Sequence, residues 1–184
     1  MDIVEFFELS AGRWSSMRTS HHPAAQQGSG KSTIEIDLLD KSDPAVIQLC
    51  EKYQVDPTTA LLGARLTWEG FLDGETRKQT GSTVLVPIAG DTQNSGKLLG
   101  EMGTTQQTPI VGHYEVSDAM GLTLITESDT LYSKERIWFE SPNVRFRHSV
   151  LKQAGGFSLA SFCSEVRLGA VKPDPKTADA TATK

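Results

Sequence analysis

The chain has 184 residues, 38% of them hydrophobic, and its 23 acidic side chains outnumber 18 basic ones for a net charge of −5. That length suits one domain with a substantial core. The acidic balance argues against a nucleic-acid binder, which carries a basic stripe, and no apolar run is long enough to cross a bilayer as a helix.

Met1-Asp2-Ile3-Val4-Glu5 carries an early acid and no basic segment, which does not fit a secretory signal. Cys50 and Cys163 are the only thiols and lack metal-ligand spacing. They are expected to be reduced, and the protein to be cytoplasmic or stromal. No phosphate-binding loop, nucleophile elbow, zinc-protease helix or dinucleotide fingerprint occurs.

In chain order, Ile3, Val4, Phe6, Phe7 and Leu9 among acids predict a short helix with one apolar side. Gly12-Arg13-Trp14 follows at once. A Gly-x-Trp at the start of a first strand resembles the signature of lipocalin-like barrels, where the Trp closes one end and a late-strand basic residue packs over it. A buried structural Trp accounts for the motif equally well. The alternation predicts a first strand over 13–22, a polar loop from Pro23 to Gly30 and a second strand from Ser32 to Leu39. The period then changes. Asp43 can cap a helix that has Pro44 in its first turn and Val46, Ile47, Leu49, Cys50 and Tyr53 at helical spacing. We expect that helix over one mouth of a barrel.

From Leu62 to Lys152 alternation returns, with strands over 82–88, 97–102, 110–117 and 122–127 after the one around Leu66 and Trp68. Gly74, Gly90 with Asn94-Ser95-Gly96, Gly103 and Asp118 to Gly121 supply turns. Ser133 to Glu140 and Asn143 to Lys152 form a hairpin, and Ser158 to Leu168 is the last strand. Residues 1–168 therefore read as one domain and 169–184 as a disordered tail. The fold class is all-β: an up-and-down antiparallel barrel of about ten strands, with one helix before the first strand and one after the second. A barrel of that size holds one ligand.

Side chains alternate faces along a strand. Arg145, Arg147 and Ser149 therefore share one face, opposite Val144, Phe146, His148 and Val150. A solvated basic face is the plain reading, since charges mostly lie outside. If the face points inward, the two guanidiniums suit carboxylates. With Glu165 and Arg18 the interior would then be unusually charged, and the charges would need each other or a ligand. Trp68 offers a stacking plane or plain core packing, and Glu135 is a carboxylate free to act inside or to lie on the surface. His21, next to His22, suits a proton donor or ligand contact better than a metal pair. Neither cysteine has an activating base nearby in sequence.

Longer blocks are more specific. Glu5-Phe6-Phe7-Glu8-Leu9-Ser10-Ala11-Gly12-Arg13-Trp14 with Arg18-Thr19-Ser20-His21-His22 closely resembles the N-terminus of the S/U-type phycobiliprotein chromophore lyases, the CpcS/CpeS-like bilin lyases. Leu98-Leu99-Gly100-Glu101-Met102-Gly103, Glu135-Arg136-Ile137-Trp138-Phe139, Asn143-Val144-Arg145-Phe146-Arg147, Gly155-Gly156-Phe157-Ser158 and Ala160 to Leu168 continue that pattern. The resemblance implies a lipocalin-like barrel related to fatty-acid-binding proteins. It implies an enzyme that binds a linear tetrapyrrole, phycocyanobilin or phycoerythrobilin, as substrate and joins it through a thioether to a cysteine of an apo-phycobiliprotein subunit of phycocyanin, phycoerythrin or allophycocyanin. No separate cofactor or metal is implied. Carried over, Arg18, Arg145 and Arg147 would hold propionates and Trp68 would pack on the conjugated system. Glu135 and Glu165 would face pyrrole nitrogens or move protons, with His21 and Ser149 as weaker counterparts. A homodimer or a complex with a second lyase subunit is also implied. A bilin carrier without lyase activity, or a binder of fatty acid or another small anion, are the rival expectations.

Overall fold

The computed structural model describes residues 1–22, 28–72, 74–92, 94–100, 111–117, 120–156 and 158–169. The predicted tail lies, from residue 170 on, outside the described residues, as do positions 101–110.

Helix α1 spans Ile3–Ser10. Asp2 caps it, accepting from the Glu5 N–H at 2.9 Å while Glu5 Oε2 accepts from the Asp2 N–H at 2.9 Å, so two donors at the exposed helix start are satisfied reciprocally. Ile3, Phe6, Phe7 and Ser10 recur at helical spacing and are the buried stripe. The helix stops at Ala11, and Gly12 turns the chain into β1 with φ of +110°, a region that only glycine enters without strain.

Ten strands follow: β1 Gly12–His21, β2 Gly28–Leu39, β3 Gly63–Leu72, β4 Gln79–Thr92, β5 Ser95–Gly100, β6 Gly112–Ser117, β7 Gly121–Glu127, β8 Leu131–Ser141, β9 Val144–Gln153 and β10 Ser158–Leu168. Each pairs antiparallel with its sequence neighbours, and β1 also pairs with β10, which closes the barrel. Closure leaves none of the ten described strands at a sheet edge. The strands run further than the alternation suggested at two places. Gly28 to Gly30, expected as loop, pair with β1, and β4 continues through Gly90 to Thr92, with an irregular register after Ala89. Glycines alone do not mark the turns there, because close cross-strand approach requires them too: a Cβ on Gly90 would meet the Ser95 carbonyl.

Helix α2, Pro44–Lys52, starts where expected, capped by Asp43 through the Ala45 N–H at 2.8 Å. Its position differs from the expectation. Val46, Leu49 and Cys50 pack with Val84, Val86, Ile88 and Leu99. Those residues of β4 and β5 point away from the lumen, since their neighbours Thr83, Leu85, Leu98 and Gly100 line the interior. The helix therefore lies on the outer wall, and the Tyr53 hydroxyl just beyond it donates to the Gly100 carbonyl at 2.6 Å. The end of the barrel is instead closed by α1, whose Ile3, Phe6 and Phe7 join Trp14, Ile36, Val116, Leu122 and Phe139 in one core. Each such large apolar side chain contributes roughly 1.5–3 kcal/mol on full burial. Both helices have apolar stripes, and helical periodicity alone does not say which wall a stripe meets.

Candidate functional site

The inward faces of β1, β10 and β9 lie in register. Arg18 opposes Cys163 and Cys163 opposes Arg147; one layer deeper, Ser16 opposes Glu165 and Glu165 opposes Arg145; deepest, Trp14 opposes Arg167. Directly opposed residues in a sheet share a face, so three charged layers descend from the open end toward α1.

The deepest layer is structural. Trp14 is fully buried, its indole N–H donating to the Ser10 carbonyl at 2.9 Å. Guanidiniums sit on it from two sides, with Arg145 Cζ 4.4 Å and Arg167 Cζ 4.2 Å from the ring centroid. Arg167 also donates to the carbonyls of Leu9 and Ala11 at 2.5 Å and of Pro142 at 3.0 Å, tying α1 to the β8–β9 hairpin.

The middle layer centres on Glu165, which has no exposed surface. Arg145 Nε donates to its Oε2 and Arg147 Nη2 to its Oε1, each at 2.5 Å, and the Ser16 hydroxyl donates to Oε1 at 3.3 Å. Burial opposes ionisation of Glu165, but Arg147 and then Arg145 outweigh it and hold the carboxyl below its ordinary value. Burial likewise opposes the Arg147 charge, and Glu135 and Glu165 overcome it, so Arg147 stays cationic.

The upper layer opens into a cavity of about 530 Å³. Ile34, Leu66, Leu85, Leu98 and Leu124 form its apolar wall, and Ser16, Arg18, Lys31, Trp68, Glu135, Arg147 and Cys163 its chemically active lining. Pockets of this volume, mostly apolar with a few convergent polar groups, take one small organic ligand. Arg147 Nη1 lies 3.9 Å from Glu135 Oε1, and the buried Arg147 Nε–H has no hydrogen-bond partner among the described residues. Burial pushes the Glu135 carboxyl up, opposed by Arg147 and reinforced by Glu165. The Cys163 thiol is also pushed up, by burial first, against the pull of Arg147.

Arg18, Trp68, Glu135 and Arg147 thus come together around the cavity. Arg145 and Glu165 sit beneath it and are spent on one another. Ser149 shares a 2.6 Å hydrogen bond with Ser161, and His21 is exposed at the mouth end of β1. Sequence reasoning missed Lys31, assigned to no strand, and Gly81, where a Cβ would run into the Trp68 ring. Extending the β2 alternation back to Gly28 would have brought Lys31 into the strand but onto the outward face with Thr33 and Glu35, so parity does not reveal its place at the cavity rim. The glycine shows only in the β3–β4 register, where Gly81 opposes Trp68.

A closed ten-stranded barrel, one end sealed by an N-terminal helix and a Trp–Arg stack and the other opening on a charged cavity, defines a lipocalin-like barrel with room for one small ligand. Comparison with known proteins narrows that class. Residues 2–168 match the family described as CpeS-like protein. The chain is 54% identical over 175 residues to "Chromophore lyase CpcS/CpeS" of Thermosynechococcus vestitus, covering 94% of this chain and 96% of that one. It is 39% identical over 186 residues to "Phycocyanobilin lyase subunit CpcS" of a Picosynechococcus species, covering 98% and 92%. Among solved structures, the S-type phycobiliprotein lyase CPES from Guillardia theta superposes with a TM-score of 0.83 at 36% identity, covering 93% of this chain and 95% of that one. The chain belongs to the CpeS-like family.

Proposed function

We propose that the chain is a phycobiliprotein chromophore lyase: it binds a bilin in the barrel cavity and attaches it to a cysteine of an apo-phycobiliprotein subunit. The carrying observation is the meeting of Arg18, Arg147 and Glu135 in one mostly apolar cavity. A bilin has two propionates, pyrrole N–H groups and a long conjugated face. Arg18 and Arg147, on the two strands that flank β10 and with Cys163 between them, suit the carboxylates. Trp68, held over Gly81, suits the rings. Arg145 and Glu165 act indirectly, fixing the Arg147 guanidinium so that little orientational freedom remains to be lost on binding.

In the reaction, the acceptor thiol adds across the exocyclic double bond of ring A. The carbon–sulfur bond forms, the thiol proton is balanced by one delivered to the chromophore, and no oxidant or reductant is consumed. Glu135 is suited to that delivery. Its raised pKa keeps it protonated where an ordinary glutamate has ionised, and it faces the ligand space. A fatty-acid binder is disfavoured, because its single carboxylate offers nothing to Glu135, which an alkyl chain would desolvate without a hydrogen-bond partner of its own. Apo-subunits of phycocyanin, phycoerythrin or allophycocyanin are the proposed acceptors, met in the cytoplasm or the plastid stroma.

Co-production with a bilin source tests the reading. The purified chain should be coloured, and should raise both the rate and the uniformity of adduct on an apo-subunit compared with bilin alone. A coloured chain that leaves the adduct unchanged is a carrier. A colourless one refutes bilin binding.

A further inference from the structure

The strands that build the cavity wall also carry, back to back with it, an apolar surface on the outside of the barrel. Trp138, Phe146 and Phe162, from β8, β9 and β10, pack with ring centroids 5.6 to 6.2 Å apart. Beside them Met17 and Val166 are 56% and 53% exposed and Phe162 is 42% exposed. Register makes the patch continuous: Trp138 opposes Phe146, Phe146 opposes Ser164, and Ser164 opposes Met17. Contiguous exposed apolar surface with a polar rim marks an interaction site, because its hydration is unfavourable and a partner can remove it.

The rim has a sign. Lys134, Arg136 and Lys152 are exposed around the aromatic trio, with Arg136 Cζ 5.7 Å from the Trp138 ring centroid. On the outward faces of β8, β9 and β10 the carboxylate is Glu140, at the α1 end, whereas Lys134 and Lys152 lie toward the cavity mouth. Counting also Glu127 of β7, which opposes Tyr132 beside Lys152, three cations stand against two acids, the reverse of the chain's own balance of 18 against 23. A positive patch laid on its own copy would repel itself, while an acidic surface would be attracted and steered.

We infer that the outer face of β8–β10, with Met17 of β1, is the docking surface for the acceptor subunit, which meets it with an acidic surface around an apolar centre. This rests on the bilin-transfer reading. A protein seated on this wall, with its edge at the Lys134 and Lys152 end, holds a cysteine near the cavity opening without covering the opening itself.

The test compares three full-length proteins: wild type, Lys134→Glu/Arg136→Glu/Lys152→Glu, and Met17→Ser/Val166→Ser. Purified apo-subunits of phycocyanin, phycoerythrin and allophycocyanin are titrated by surface plasmon resonance at low and high salt, and bilin uptake is followed separately by absorbance. The charge variant should weaken acceptor binding about tenfold or more at low salt and lose most of the salt dependence. The apolar variant should weaken it by a similar factor at both salts. Bilin uptake should stay unchanged in both. Wild-type acceptor affinity in both variants overturns the inference. So does a wild-type dimer, seen by sedimentation velocity, that Met17→Ser/Val166→Ser dissolves with acceptor affinity intact, which would make the face a contact between copies. A wild-type chain that takes up bilin but binds none of the acceptors also overturns the docking surface while sparing the cavity reading. Absent bilin uptake refutes the cavity reading, and weakened acceptor binding by the variants would still support the face.

Discussion

Arg147 holds Glu165 from above at 2.5 Å, and the same guanidinium forms part of the cavity lining that its carboxylate partner does not reach. The pair therefore divides one ionic cluster into a load on the fold and a surface for the ligand. Removing one partner of a buried pair strands the other's charge, which typically costs about 3–5 kcal/mol. Glu165→Gln leaves Arg145 and Arg147 facing each other without their shared acid. We expect it to lower stability by about that amount in urea unfolding; a loss under about 1 kcal/mol would show that the cluster is not holding the barrel together.

The two arginines should separate cleanly. Arg145, 5% exposed and stacked on Trp14, is expected to act on stability, so Arg145→Ala lowers the melting temperature while the folded fraction binds bilin normally. Arg147→Ala leaves Glu165 paired with Arg145 and should fold, but should weaken bilin binding about tenfold or more. Equal bilin affinity in folded Arg147→Ala and wild type would remove Arg147 from the ligand site.

Glu135 and Glu165 shift in opposite directions, so they give opposite pH signatures. The raised Glu135 contributes stability in full below 4.5, its ordinary value, and that contribution fades as pH rises through the shifted value. The lowered Glu165 contributes above 4.5 and loses it as pH falls. Melting temperature recorded across pH should therefore show Glu135→Gln gaining on wild type as pH rises. The same variant should lose the falling alkaline limb of the attachment rate, with a drop of about a hundredfold or more if Glu135 delivers the proton.

Cys163 lies in the cavity lining, but burial keeps its thiol protonated and the reaction as proposed uses the acceptor's sulfur. Cys163→Ala should retain attachment to within about twofold. Mass spectrometry showing bilin carried from Cys163 to the acceptor would make it a covalent intermediate and refute this.

Arg167 reaches the carbonyls of Leu9, Ala11 and Pro142 with one planar fork, which Lys cannot reproduce. Arg167→Lys should speed amide hydrogen exchange in α1 selectively, with the strands less affected. Uniform exchange across the barrel would mean that α1 is held by its apolar stripe alone.

The architecture was largely legible because strand parity needs only local alternation. The faces of β9 and β10, Arg145 with Arg147 and Cys163 with Glu165, are as the period of two dictated. Wall choice was not legible. The α2 stripe of Val46, Leu49 and Cys50 is equally at home over a mouth or against β4, and only the register of β4 and β5 shows which side has matching apolar residues. Division of labour was not legible either: whether a guanidinium meets a ligand or another side chain depends on depth in the barrel, which alternation does not encode. Gly81 illustrates the same limit, since its need to be small comes from a ring 13 positions away across a strand pair.

The seal formed by α1 and Trp14 has a kinetic meaning. A vessel with one doorway is filled and emptied by the same route, so the end of the chromophore that enters last is the end that leaves first and stands at the threshold meanwhile. Loading must therefore precede hand-over, and an acceptor parked across the doorway would bar the next cargo. Turnover in such a protein is ordered by topology: cargo in, client alongside, cargo out, client away.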